Sequence, residues 1–188
     1  MPCRSWDEWR DIYSALLQAQ REGKFPYETI VIDTIDKFID LSNTEVIERG
    51  RNKFKGAEIF TIGDIPNGAG WAWATDNIEL ALSKLEDLPA AICYIGHLDR
   101  KEIKKPNNTS IHLQTISIGG KTGRALVAWC DHFINIEAAM VGNNVKRRLR
   151  TLPTASVDAK SRGGVVPDGT EWGEDSKANW VKFRGLFS

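Results

Sequence analysis

The sequence is short of the residues that build disulfide scaffolds and metal clusters. Its three cysteines, Cys3, Cys93 and Cys130, are odd in number, far apart and form no C-x-x-C pair. That excludes a disulfide framework and fits a reducing compartment in which thiols stay free. His97, His112 and His132 are equally scattered and match no zinc-ligand spacing. No run of 18 apolar residues and no leader pattern is present, so the chain reads as soluble and cytoplasmic, with no membrane partner. Excess charge of one sign is missing too, since 25 Lys and Arg balance 25 Asp and Glu. No global positive field then attracts nucleic acid, and any such contact has to come from a local patch. Repeats and low-complexity blocks are absent, and so is G-x-x-x-x-G-K-[ST], the loop whose amides and lysine cradle nucleotide phosphates.

What is there, at a length of 188 residues suited to one domain with a real core, is an alternation of helical and strand patterns. Ser5 and Glu8 make a capping-box pattern ahead of Trp6, Trp9, Ile12, Tyr13, Leu16 and Leu17 at helical spacing, and Gly23 ends that helix. Thr29-Ile30-Val31-Ile32-Asp33 is an apolar run closing on an acid, as in a buried parallel strand. A second helix is predicted over 35–51, an irregular glycine-rich stretch over 54–70 and a third helix over 71–88. Ala90–Ile95 reads as another buried strand, ending at Gly96-His97. Beyond it the spacing predicts a polar, mobile loop over 99–108, a strand over 113–118, a helix within 119–130 and a strand over 132–136. A hairpin turn at Gly142-Asn143-Asn144 leads into a basic strand over 145–150. Trp172, Trp180, Phe183 and Phe187 give the tail residues to pack with.

Each candidate site admits two readings. Asp33 stands where an α/β sheet delivers a carboxylate to its ligand-binding edge, the place of the Walker B acid in P-loop NTPases; the alternative is a cap for the next helix. Asp36 reads as a cap or a supporting acid. His97, at the end of the following strand, is either a phosphate sensor or a structural histidine. Gly119-Gly120-Lys121-Thr122 ends like a phosphate loop, yet Thr115 stands where the first glycine belongs. From the residues alone, Lys121 and Arg124 are solvated charges after a helix-leading glycine turn; a phosphate role for them enters only with the resemblance below. The densest basic cluster is Lys146, Arg147, Arg148 and Arg150. Strand alternation puts Arg147 opposite the other three, and the row is either a track for phosphates, extended by Lys101, Lys104 and Lys105, or an edge strand guarded by charge. Trp71 and Trp73 could stack on bases, but aromatics leading a helix belong more often to the core. Ser-His-Asp and paired-carboxylate catalysis have no motif support.

Taken in order, TIVIDTID at 29–36, the Trp-Ala-Trp-led helix, the strand ending Ile95-Gly96-His97, SIGGKTGRAL at 117–126, the strand after Asp131 and the basic hairpin ending DAKSR at 158–162 carry a likeness. They resemble the phage RecA-like nucleotide-binding proteins, AAA-type ATPases that serve as single-strand annealing or recombination factors, over about residues 5–170. The resemblance implies an α/β fold: an amino-terminally incomplete RecA-like P-loop NTPase three-layer core over 1–140, then a β-rich extension, a basic hairpin and tail, over 141–188. It implies ATP and Mg²⁺ as cofactors, with Asp33 as the metal-linked catalytic acid, Thr34 beside it in the cofactor pocket and His97 as catalytic sensor. It also implies Lys121 and Arg124 near the phosphates, and Lys146, Arg147, Arg148 and Arg150 on single-stranded DNA. A homo-oligomer, or a partner supplying the phosphate loop, is expected, in the host cytoplasm if the chain is phage-encoded. Family members carry a strand, a Walker A loop and its helix ahead of the segment that starts here. Without them the chain alone is expected to bind ATP weakly or not at all, whether it is a truncation, half of a split gene or a non-catalytic protein. The alternative function is a non-enzymatic DNA-binding or assembly subunit.

Overall fold

The structure, a computed structural model, describes residues 2–104, 109–141, 144–173 and 176–185. Its contacts divide the chain into two units, Met1–His97 and Leu98–Ser188. The division expected after residue 140 falls inside the second of them.

In the first unit, α1 (Trp6–Arg21) starts at Ser5, whose hydroxyl accepts the Glu8 amide at 3.1 Å. Glu8 reaches back to the Arg4 amide at 2.6 Å rather than to that of Ser5, so the capping box closes one residue early. β1 (Thr29–Asp33) runs straight into α2 (Ile35–Lys53), capped by Thr34, whose hydroxyl accepts the Lys37 amide at 3.3 Å. Two 3-10 turns, Ile62–Asp64 and Pro66–Gly68, lead to α3 (Ala69–Glu86) and then β2 (Ala91–Ile95). β2 lies parallel to β1, from Thr29 opposite Ala91 to Asp33 opposite Ile95. Parallel neighbours require a crossover, and α2 with α3 provides it.

The crossover helices share one core. α2 buries Ile35, Phe38, Ser42, Val46 and Gly50, steps of three and four residues that form one stripe. α3 answers with Gly70, Ala74, Ile78, Ala81, Leu82 and Leu85. Each fully buried Ile or Leu among them contributes about 1.5–3 kcal/mol relative to exposure. Trp6 and Trp9 meet Phe38 at ring distances of 5.2 and 5.1 Å, which fixes α1 against α2. Ser42, buried in the seam, is paired with the Asn77 amide at 3.1 Å.

In the second unit, β3 (Leu98–Lys104) pairs antiparallel with β4 (Ser110–Ile116), Ile103 opposite Ile111. The mobile loop expected over 99–108 is therefore a strand as far as Lys104. Every residue of β3 is exposed, so its backbone pairing with β4, not a buried face, makes it a strand. The remaining elements are α4 (Gly120–Trp129), β5 (His132–Phe133), β6 (Asn135–Val141), β7 (Asn144–Arg150), β8 (Lys160–Ser161), β9 (Thr170–Trp172) and α5 (Ser176–Gly185). The single strand expected over 132–136 is two, because β5 pairs with β8 while β6 pairs with β7. β7 lies between β6 and β9 in an antiparallel sheet, and its Leu149 is buried. Asn179 of α5 ties its amide to both backbone groups of Gly173, at 2.9 and 2.6 Å. The turn at 142–143, Lys105 and Phe187 lie outside the described residues. Among those described, the architecture is a mixed α/β arrangement of helices and small sheets, with a single parallel pair of strands.

α3 touches the preceding 3-10 turn so closely at Gly70 that a Cβ there would stand 2.2 Å from the Ile62 carbonyl oxygen. Gly70→Ala is expected to lower the stability of the first unit by about 1–3 kcal/mol, as overpacked cores do. Urea denaturation followed by tryptophan emission measures it, and an unchanged midpoint would mean that the contact is slack.

Candidate functional site

Parallel pairing sets the carboxyl ends of β1 and β2 side by side, Asp33 across from Ile95, with Gly96 and His97 next. That edge is where open α/β sheets bind ligands. Because Thr34 caps α2, Asp33 does not; its carboxylate is exposed and joins no ion pair among the described residues. The Asp33–Thr34 peptide is cis. Thr34 is a neighbour of the acid with its oxygen already engaged by Lys37.

Asp36, in the first turn of α2, joins the two strand ends. Its Oδ2 accepts the His97 backbone N–H at 3.0 Å and lies 3.2 Å from His97 Nδ1. The Asp36 side chain is 20% exposed and the His97 side chain 72%. An ionised carboxylate can only accept, so Nδ1 carries the hydrogen and Nε2 of the neutral ring keeps its lone pair. Asp36 thus anchors His97, the more specific form of the supporting role open to it from sequence. Its placement three residues after a strand-ending Asp was the available signal.

The edge can therefore present one uncommitted carboxylate beside one oriented imidazole. Mg²⁺ retains much of its water and takes one or two carboxylates together with phosphate oxygens. Asp33 meets that requirement. No group of three or more His, Cys, Asp or Glu side chains is placed to hold a metal by itself among the described residues. The donors fit a metal that arrives with phosphates rather than a resident ion.

Lys121 and Arg124 stand exposed on the first turns of α4, in the second unit. Gly123 between them is demanded by packing, since a Cβ there would lie 2.1 Å from the Ile118 carbonyl oxygen. At the other end of α4, Lys160 Nζ donates to the carbonyls of Val127, Ala128 and Cys130 at 3.3, 2.9 and 2.7 Å. A cation at the negative end of the helix dipole holds in place the helix that carries Lys121 and Arg124.

The basic strand is β7, with the alternation expected of it. On its charged face Lys146 pairs with Glu171 at 3.1 Å, and Arg150 pairs with Glu137 at 2.8 Å and Asp168 at 3.0 Å. Arg148 stands opposite Glu137 on one side and Glu171 on the other. Three cations thus share a face with three acids, and the row is close to neutral. Glu137 above all, then Asp168, raises the Arg150 pKa. Asp168 is held below the usual aspartate value, chiefly by the Thr151 amide and further by the Leu152 amide and Arg150. Arg147 on the other face, and Lys101 and Lys104 on β3, are exposed and form no ion pair among the described residues.

Residues 1–163 match the family model described as an AAA domain, so the chain belongs to the AAA domain family, whose members are ATPase-like and use nucleotide with Mg²⁺. No curated protein and no solved structure matches the chain.

Two measurements test this geometry. Asp36→Ala is expected to speed hydrogen exchange at the His97 amide about tenfold or more, the loss of one charge-assisted hydrogen bond. An unchanged exchange rate would remove Asp36 as the anchor. Asp168, with its lowered folded pKa, stabilises the second unit fully above about pH 4, and the contribution is lost as pH falls through the folded value, because the unfolded state then binds more protons. Asp168→Asn should flatten the acid limb of a stability-against-pH curve; the parent slope in that variant would contradict the assignment.

Proposed function

We propose that this chain is the acid-and-sensor part of a RecA-like ATPase of the phage recombination class, acting on single-stranded DNA in annealing or recombination in the host cytoplasm. A partner subunit in the oligomer supplies the phosphate-cradling loop and completes the three-layer core around β1 and β2. The observation that carries this reading is the edge itself: an uncommitted Asp33 beside a His97 fixed by Asp36, on adjacent parallel strands, in a chain of the AAA domain family.

In this reading Asp33 would hold Mg²⁺ together with the nucleotide phosphates, and Thr34 lines the same edge. The metal, when bound, neutralises charge on the phosphates and orients them. His97 donates from Nε2 to a terminal phosphate oxygen once that nitrogen is protonated, and Asp36 keeps the ring aimed while this happens. Since Asp36 belongs to α2, a change at His97 is passed directly to a helix of the core. Lys121 and Arg124 reach the phosphates of a neighbouring subunit from a helix that Lys160 holds firm. Arg147 and Arg148 of β7, flanked by Lys146 and Arg150 and helped by Lys101 and Lys104, contact the DNA backbone.

A second reading is a non-catalytic DNA-binding or assembly subunit. Calorimetry with millimolar ATP separates the two. Weak binding, worth about −4 kcal/mol, that needs Mg²⁺ and disappears in Asp33→Ala is expected. Nucleotide binding indifferent to both Mg²⁺ and Asp33 would contradict the site, and a folded chain that binds none would leave the second reading.

A further inference from the structure

The first unit carries unpaired positive charge that the nucleotide site does not use. Arg49, Arg51, Lys53 and Lys55 occupy alternate positions in the last turns of α2 and the residues after it, all are exposed, and none is ion-paired among the described residues. The macrodipole favours cations in the last turn of a helix, which accounts for Arg51 and Lys53. It does not account for Arg49, a turn earlier, or Lys55, beyond the helix end.

Two of these cations rest on aromatic rings. Arg49 Cζ lies 4.4 Å from the Trp73 ring centroid, and Lys53 Nζ lies 4.9 Å from Trp73 and 5.5 Å from Phe54. Trp73 and Phe54 are themselves stacked, 6.3 Å apart at 14°, and packed on the core of Val46, Ile59, Ile62, Ile65 and Ala74. The rings therefore form a rigid seat. A guanidinium laid on a ring is already ordered and keeps N–H edges for an anion, so binding phosphate costs it less side-chain entropy. Arg51 is tied as well, Nε donating to the Ile59 carbonyl at 2.7 Å.

Bare aromatic surface lies on the neighbouring segment. Phe60 is 70% exposed, next to the Ile59 whose carbonyl takes Arg51 and just before the Ile62–Asp64 turn, which packs against α2. Ordered cations take phosphates, and exposed rings take unpaired base faces, which a duplex does not offer.

We infer that the Arg49–Lys55 segment with the exposed Phe60 is a binding site for single-stranded nucleic acid on the first unit. The inference rests on the nucleic-acid half of the proposed function and is independent of the nucleotide edge.

Fluorescence anisotropy of the full chain with a labelled oligothymidylate of about 20 nucleotides, and with a duplex of equal length, tests it. The parent should prefer the single strand. Arg49→Gln/Lys53→Gln/Lys55→Gln should weaken binding about tenfold or more and lower the slope of log K against log salt by about 2, at roughly 0.7 per phosphate contact, with an unchanged melting temperature. Phe60→Ala should weaken single-strand binding while leaving the salt slope in place. Parent-like affinity and slope in the triple variant would overturn the site. If Arg147→Gln/Arg148→Gln alone abolished binding, nucleic acid would belong to β7 and this inference would fail while the proposed function stood. A parent chain that binds no strand at low salt would overturn both.

Discussion

The first unit depends on one constraint, the in-register parallel pairing of β1 with β2. Parallel strands cannot be joined by a hairpin, so the chain between Asp33 and Ala91 has to leave the sheet and return. α2 and α3 do this, and their facing stripes make the core that supports the strands. The same pairing places two strand ends together, and there a residue of α2 reaches the second residue beyond β2. The Asp36–His97 link is the result. It couples the end of one strand, the start of a helix and an exposed imidazole in one polar contact, next to the Asp33 carboxylate, which joins no ion pair among the described residues.

The second unit is organised by polar ties rather than by a parallel sheet. Lys160 gathers three carbonyls at the end of α4. Thr151, buried just past the end of β7, has its amide on Asp168 at 2.8 Å and its hydroxyl on the Val166 carbonyl at 2.9 Å. The acids along β7 match its cations. Two basic regions thus differ in what they offer. The β7 face is mostly compensated by Glu137, Asp168 and Glu171, while the α2 end keeps its charge and holds it on aromatic rings. Charge counts along a chain do not distinguish these cases; partners do.

Much of the first unit was legible in the sequence because local signals agreed. Helical spacing with a cap at Ser5, an apolar run closing on Asp33, and a second run before Gly96 each predict the element observed, and together they place Asp33 and His97 at one edge. What was not legible needed partners remote in sequence. Asp36 and His97 are 61 residues apart, and the place of Asp36 just after a strand-ending acid points to a supporting role but not to its partner. β3 has no buried face, so its strand character comes only from β4. The compensation of β7 depends on acids on other strands and loops. The ordering of two of the cations in Arg49–Lys55 depends on Trp73, which lies beneath them from another helix. Trp73 is half-buried against the core, as aromatics leading a helix usually are, whereas Trp71 points to solvent for most of its surface.

The most direct measurement is the NMR spectrum of the His97 side chain as Mg²⁺ and then ATP are added to the 188-residue chain. If the strand edge is a nucleotide site, the His97 ring signals and the backbone amides of 33–36 and 95–97 shift with Mg²⁺–ATP, not with Mg²⁺ alone, and the response is lost in Asp33→Ala. Signals at those positions that stay still at millimolar nucleotide, or that shift equally in Asp33→Ala, would contradict it.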